Sequence, residues 1–171
     1  MIIKHPTPHQ TPDLRRLWQQ AFGDSDKYLD DFWQTAFSCE RCLCVELEGE
    51  IAAALYSLDC SCRGKKLAYL YAVATDITHR GKGLCHRLMD YAHAHLASQG
   101  YAGTVLVPGS EDLFRLYGEM GYQPFGGIEE ITAPGANPGV PLRPITPTEY
   151  TALRRVYLPA YLHWEITVMK K

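Results

Sequence analysis

The chain has 171 residues, 46% of them hydrophobic, with 17 Lys and Arg set against 19 Asp and Glu. That composition suits one domain with a full core, and a net charge of −2 provides no global field to draw in nucleic acid. No run of about 18 apolar residues reads as a membrane span, and Met1 to Pro6 are too short and polar a stretch for a secretory signal, so the expected location is the cytoplasm, with neither nucleic acid nor membrane as a partner.

Residues 2–5 read as a first strand. Thr11-Pro12-Asp13 then opens a helix, with a hydroxyl at the cap, proline in the first turn and an acid near the positive end of the dipole. Leu14, Leu17, Trp18 and Ala21 recur at helical spacing and Gly23 stops the run. Asp24-Ser25-Asp26 caps a second helix that carries Tyr28, Leu29, Phe32 and Trp33 on one face, and core packing is the commoner fate of such an aromatic stripe.

Residues 42–47 and 51–61 form a hairpin joined at Glu48-Gly49-Glu50. Five of the six cysteines, Cys39, Cys42, Cys44, Cys60 and Cys62, fall in or beside it, spaced C-x2-C-x-C and C-x-C. The pattern departs from paired C-x2-C knuckles, although the hairpin would bring Cys39 roughly opposite Cys60. Reduced cysteines serving as small apolar strand residues explain it better than a zinc site, and no metal is expected.

Residues 67–75 are apolar on both faces, as a central strand should be, with Tyr69 and Tyr71 on the same face as Val73. Next comes Arg80-Gly81-Lys82-Gly83-Leu84-Cys85, followed by a helix to about residue 99 with Leu84, Cys85, Leu88, Met89, Ala92 and Leu96 inward and His86, Arg87, Asp90 and His93 in solvent. A strand, a glycine-rich loop and a helix start together make an anion cradle. The first helical amides lack intrahelical acceptors, the dipole favours negative charge there, and glycine lets a phosphate come close. Arg80 and Lys82 add charge. The loop is not a nucleotide P-loop, because Leu84 stands where a hydroxyl must reach Mg²⁺, nor a dinucleotide fingerprint, because His86 replaces the third glycine.

Residues 103–107 give a short strand. Ser110 caps a helix over residues 111–120, Gly121 ends it, and residues 122–132 read as extended. Residues 133–139 are a Pro- and Gly-rich linker. Thr146-Pro147-Thr148-Glu149 is a capping box, and Leu153-Arg154-Arg155 echoes Leu14-Arg15-Arg16. The tail, residues 134–171, either begins a second unit resembling the first or returns residues 163–169 as a last strand of the first sheet.

Residues 73–84 resemble the strand and [RQ]-x-x-G-x-[GA] pyrophosphate loop of the GNAT superfamily of acyl-CoA-dependent N-acetyltransferases. Residues 113–122 resemble its Y-x-x-x-G-[FY] motif, in the order and spacing that family uses; Cys85 departs from its usual Gly or Ala. The resemblance implies a mixed α/β (α+β) fold over residues 1–133, with a mostly antiparallel central sheet flanked by helices and a splayed parallel strand pair for the cofactor. It also implies an acyltransferase that moves an acetyl group from acetyl-CoA to an amine. Val73, Ala74 and Thr75 would meet the pantetheine arm, Arg80, Gly81, Lys82, Gly83, Leu84 and Cys85 the pyrophosphate, and Tyr117 the leaving thiolate. A non-catalytic acyl-CoA-binding or regulatory module of the same fold is the alternative. The acceptor, the general base and the oligomeric state leave no readable code.

Overall fold

A computed structural model describes residues 1–126, residues 143–157 and the backbone of residues 163–164. In chain order the elements are β1 (Ile2–Lys4), α1 (Thr11–Phe22), α2 (Asp26–Thr35), β2 (Cys42–Leu47), β3 (Glu50–Cys62), β4 (Lys65–Thr75), α3 (Leu84–Ser98), β5 (Thr104–Val105), α4 (Glu111–Glu119), α5 (Pro147–Tyr157) and β6 (His163–Trp164). The strands pair in the order β1-β2-β3-β4-β5, antiparallel except for the parallel pair β4–β5, and β6 lies antiparallel to the far end of β3.

Local chemistry sets the boundaries. Gly23, left-handed at φ 70°, closes α1, and the Ser25 hydroxyl accepts the Tyr28 amide at 3.3 Å to open α2. The two hairpins turn on Glu48-Gly49 and Arg63-Gly64, all four residues at positive φ, as tight turns between twisted strands require. The capping box forms as expected: the Thr146 amide donates to Glu149 Oε2 at 2.8 Å and the Glu149 amide to Thr146 Oγ1 at 3.2 Å.

Two apolar layers sandwich the sheet. On one face Leu84, Leu88, Met89, Ala92 and Leu96 of α3, with Tyr117 of α4, pack against Leu43, Val45, Ala53, Leu55, Ala68 and Leu70. On the other, Leu14, Leu17 and Trp18 of α1 and Leu29 and Phe32 of α2 cover Cys42, Cys44, Ile51, Ala54, Tyr56 and Ala74. At about 25 cal/mol per Å² of buried apolar area, these two layers supply the main drive for folding.

Two bulges interrupt the alternation. Val45 pairs with Ala53 and Glu46 with Ile51, leaving Ala52 extra on β3. Ala54 pairs with Ala74 and Tyr56 with Tyr71, so Ala72 and Val73 oppose Leu55 alone, and Ala72 takes φ 48°. The second bulge corrects the expectation that Val73 shares a face with Tyr71: Tyr71 joins the α1–α2 layer and Val73 packs on the α3 layer.

The cysteines also settle differently from a facing Cys39–Cys60 pair. Cys39 sits in a short 3₁₀ turn before β2, while Cys60 pairs with Leu67 on one side and with Trp164 of β6 on the side where β2 would have continued. Burial pushes the Cys42 and Cys44 thiols up, Cys44 to about 11. Among the described residues no cluster of metal-ligating side chains occurs, and no helix is long and apolar enough to cross a membrane. The expected extended stretch is described only to residue 126, where residues 122–126 join no strand; residues 127–132 and the linker lie outside the described residues.

Candidate active site

Strands β4 and β5 pair only at Ala68–Thr104 and Tyr69–Val105. Beyond that level β5 ends and β4 runs on to Thr75, its other edge still held by Ala53 and Ala54 of β3. Among the described residues, the β5-side edge of β4 is therefore open through Val73, Ala74 and Thr75. The bulge at Ala72 sits at the start of this open stretch and raises the local twist, which turns the strand away from its neighbour.

Asp76 anchors the turn that follows. Its amide donates to Ala52 O at 2.8 Å, one step beyond the Ala53–Thr75 pair of the β3–β4 ladder. Its carboxylate accepts from the Thr78 amide at 2.9 Å and hydroxyl at 2.7 Å, and Arg16 Nη1 of α1 lies 3.4 Å away. These hydrogen bonds from Thr78, assisted by Arg16, hold the carboxyl below its usual range. Arg80 then donates Nε–H to Thr75 O at 3.2 Å, bringing the loop back over the end of β4.

Gly81 and Gly83 take φ 72° and 71°, and Gly83 is the residue capping α3. An L side chain in that conformation is strained, which explains glycine at both positions. The first amide of the helix with a backbone acceptor belongs to Arg87, which donates to Gly83 O at 3.2 Å. The amides of residues 84–86 head the helix without intrahelical acceptors, at the positive end of its dipole. Arg80 and Lys82 are exposed beside them. Cys85 instead turns inward against the α3 layer, where burial raises its thiol pKa.

Tyr117, 7% exposed, stands across from this inward side of the loop. Its ring meets Tyr122 edge-on with centroids 5.8 Å apart, and burial, with Cys85 and Tyr122 nearby, pushes its phenol well above the ordinary value. Tyr122 in turn bonds Thr104 Oγ1 at 2.7 Å and His93 Nε2 at 2.8 Å. That corrects the expectation of a solvated His93. The ring is half-buried and hydrogen-bonded, and burial lowers its pKa against the opposing pull of Asp90. A cleft of about 360 Å³ borders this chain, lined by the C-terminal half of α3, by β5 and by residues 120–125. It includes none of residues 73–75 or 80–85.

The opposite face of β4 is aromatic. The Tyr71 ring lies tilted beside that of Tyr69 with centroids 5.7 Å apart, sits 5.5 Å from the Trp18 ring, and its hydroxyl shares a short hydrogen bond with the Tyr28 hydroxyl. Trp18 donates Nε1–H to Asp24 Oδ2 at 2.8 Å. Sequence reasoning passed over Asp76 and the Tyr28–Tyr71 pair. The first had a readable signal, an Asp two residues before a Thr at the end of a strand; the second joins residues on different elements and had none.

A family model described as the acetyltransferase (GNAT) domain matches residues 3–125. No curated protein matches the chain in sequence. Among solved structures, a putative acetyltransferase from Agrobacterium tumefaciens is similar over 78% of this chain and all of its own, at 15% identity and TM-score 0.62. An aminoglycoside 6'-N-acetyltransferase from Acinetobacter haemolyticus is similar over 80% of this chain and all of its own, at 15% identity and TM-score 0.61. A GCN5-related N-acetyltransferase from Anabaena variabilis aligns with 67% of this chain at 19% identity and TM-score 0.59, and the chain spans 30% of that protein's length. At these identities the likeness is one of fold.

Proposed function

The chain belongs to the GNAT acetyltransferase family, and on that footing we propose that it transfers an acetyl group from acetyl-CoA to an amine of a small molecule or peptide by direct attack. One observation carries this reading: the open edge of β4 leads straight into a loop of unpartnered helix-start amides. Val73, Ala74 and Thr75 offer backbone groups to the pantetheine arm as an added strand would. The amides from Gly81 to Cys85 hold the diphosphate, with Arg80 and Lys82 adding charge. An amide on residues 73–75 stabilises the oxyanion. Holding thioester and amine in reacting geometry is the larger part of the catalysis.

As the amine nitrogen bonds the carbonyl carbon, the carbon–sulfur bond breaks and the thiolate leaves. Tyr117 meets that sulfur. Ordinary thiol and phenol pKa values of about 8.5 and 10 make full proton transfer from the phenol uphill by about 2 kcal/mol, and the burial of Tyr117 raises the cost further. Tyr117 therefore acts by hydrogen bonding to the developing thiolate. Calorimetry with acetyl-CoA, followed by thiol release across a panel of butylamine, benzylamine, spermidine and glucosamine, tests the reading. Heat of binding with release toward at least one amine is expected; the absence of binding, or of release with every amine, refutes it.

A further inference from the structure

An amine that attacks a thioester must lose a proton before the product is neutral, and Tyr117, assigned to the leaving thiolate, is not the group that takes it. On that reading, an acetyl carbonyl bound by an amide at the β4 edge can be approached only from one or other of the two layers that sandwich the sheet. The α3–α4 layer contains Tyr117 and is filled by the packed core around it. The amine is left the α1–α2 face, where Tyr71 is the last polar side chain of β4 before the open edge, with only Ala72 and Ala74 beyond it on that layer. Its hydroxyl bonds that of Tyr28, with either oxygen able to donate. Tyr28 is 42% exposed, so the pair runs from the half-buried strand to solvent.

Resting on the acetyl-transfer reading above, we propose that Tyr71 and Tyr28 form a proton relay that carries the acceptor amine's proton to water. The amine N–H bond breaks as an O–H bond forms on Tyr71. The proton Tyr71 already held passes to Tyr28, and the one Tyr28 held passes to a water molecule. Both phenols begin and end neutral, and the carbon–nitrogen bond formed and the carbon–sulfur bond broken are unchanged from the direct attack. The other titratable groups around Tyr71 are Tyr69 on its own strand, Tyr56 opposite it on β3, and Asp24 in the turn between α1 and α2. Asp24 is already engaged by the Trp18 indole. Burial, with the Tyr28 hydrogen bond, raises the Tyr71 pKa, which keeps it protonated at any working pH, as a relay needs and a general base would not.

The test compares wild type, Tyr71→Phe, Tyr28→Phe and the double variant with the most active amine of the panel, between pH 7 and 9. Each single variant is expected to lower kcat about 100-fold, at the lower end of what positioned proton transfer contributes. The double variant should be no worse than the weaker single one, because a chain is broken once. The deficit should shrink as pH rises and hydroxide takes the proton instead. Acetyl-CoA affinity should stay at the wild-type value, and the melting temperature should fall by only the few degrees that one lost hydrogen bond costs. An unchanged kcat in Tyr71→Phe, losses that multiply in the double variant, or a deficit equal at every pH would overturn the relay and leave acetyl transfer standing. A wild type that binds acetyl-CoA but acylates no amine would instead remove the transfer reading and the relay with it.

Discussion

Replacing Gly81 by alanine separates what the loop does for the fold from what it does for a ligand. Gly81 sits at φ 72°, and an added Cβ would meet nothing within 4 Å. In the free protein the substitution therefore costs only the left-handed strain of an L residue, about 1 kcal/mol. For a domain of this size that lowers Tm by about 2–4 °C. Gly64, in the turn between β3 and β4, has φ 74° and equally open surroundings, so Gly64→Ala is a matched control. Strain present in both free and bound protein cancels from the affinity. What remains in Gly81→Ala is the ligand: a diphosphate seated on these amides would collide with the new methyl group. Losing one charge-assisted N–H bond, worth about 1.5–3 kcal/mol, weakens acetyl-CoA by roughly 10- to 150-fold. Thermal melting and calorimetric titration of both variants read the two effects apart. Equal falls in Tm with wild-type affinity in both would refute the grip of this loop on the diphosphate.

Tyr117→Phe should lower kcat at least tenfold in steady-state thiol release while leaving the affinity for acetyl-CoA within twofold, and equal turnover would remove the phenol from the reaction. Tyr56 is 3% exposed and its buried hydroxyl has no hydrogen-bond partner among the described residues, so Tyr56→Phe removes an unsatisfied group and should leave chemical-denaturation stability equal to wild type or higher by about 1 kcal/mol; a loss of more than that would show a hidden partner. Burial depresses the His93 pKa, so its favourable contribution to stability is complete above the unfolded value of about 6.5 and is lost as pH falls below it. His93→Gln should therefore flatten the fall in Tm between pH 7 and 5, and an unaltered slope would count against a buried neutral imidazole.

The loop was legible because its geometry demands glycine. Positions 81 and 83 both lie at positive φ, and two glycines beside basic residues between a strand and a helix advertise that demand. The helices were legible from period and caps, down to the Thr146–Glu149 reciprocal pair. The bulge at Ala72 was not, because alanine carries no mark of a left-handed conformation, and a strict two-residue period then put Val73 on the wrong face. His93 was misjudged for a related reason. Its partner Tyr122 comes 29 residues later, and helical spacing alone cannot reveal what the chain brings back against an outward-looking side chain. Thr104 and Tyr122 joined the same chain of hydrogen bonds only because β5 and the end of α4 converge there.

Trp18 lies fully buried, within 6.5 Å of Tyr28, Tyr56 and Tyr71, and Trp33 packs 5.6 Å from it. Two of the chain's three tryptophans are thus optical neighbours of the Tyr28–Tyr71 pair, close enough to collect excitation from those tyrosines. Emission from Trp18 and Trp33 reports the helical layer over that strand far more than the glycine loop before α3. An acceptor docking beside Tyr71 would announce itself by quenching or a colour change without any label, whereas the coenzyme's diphosphate would pass nearly unseen.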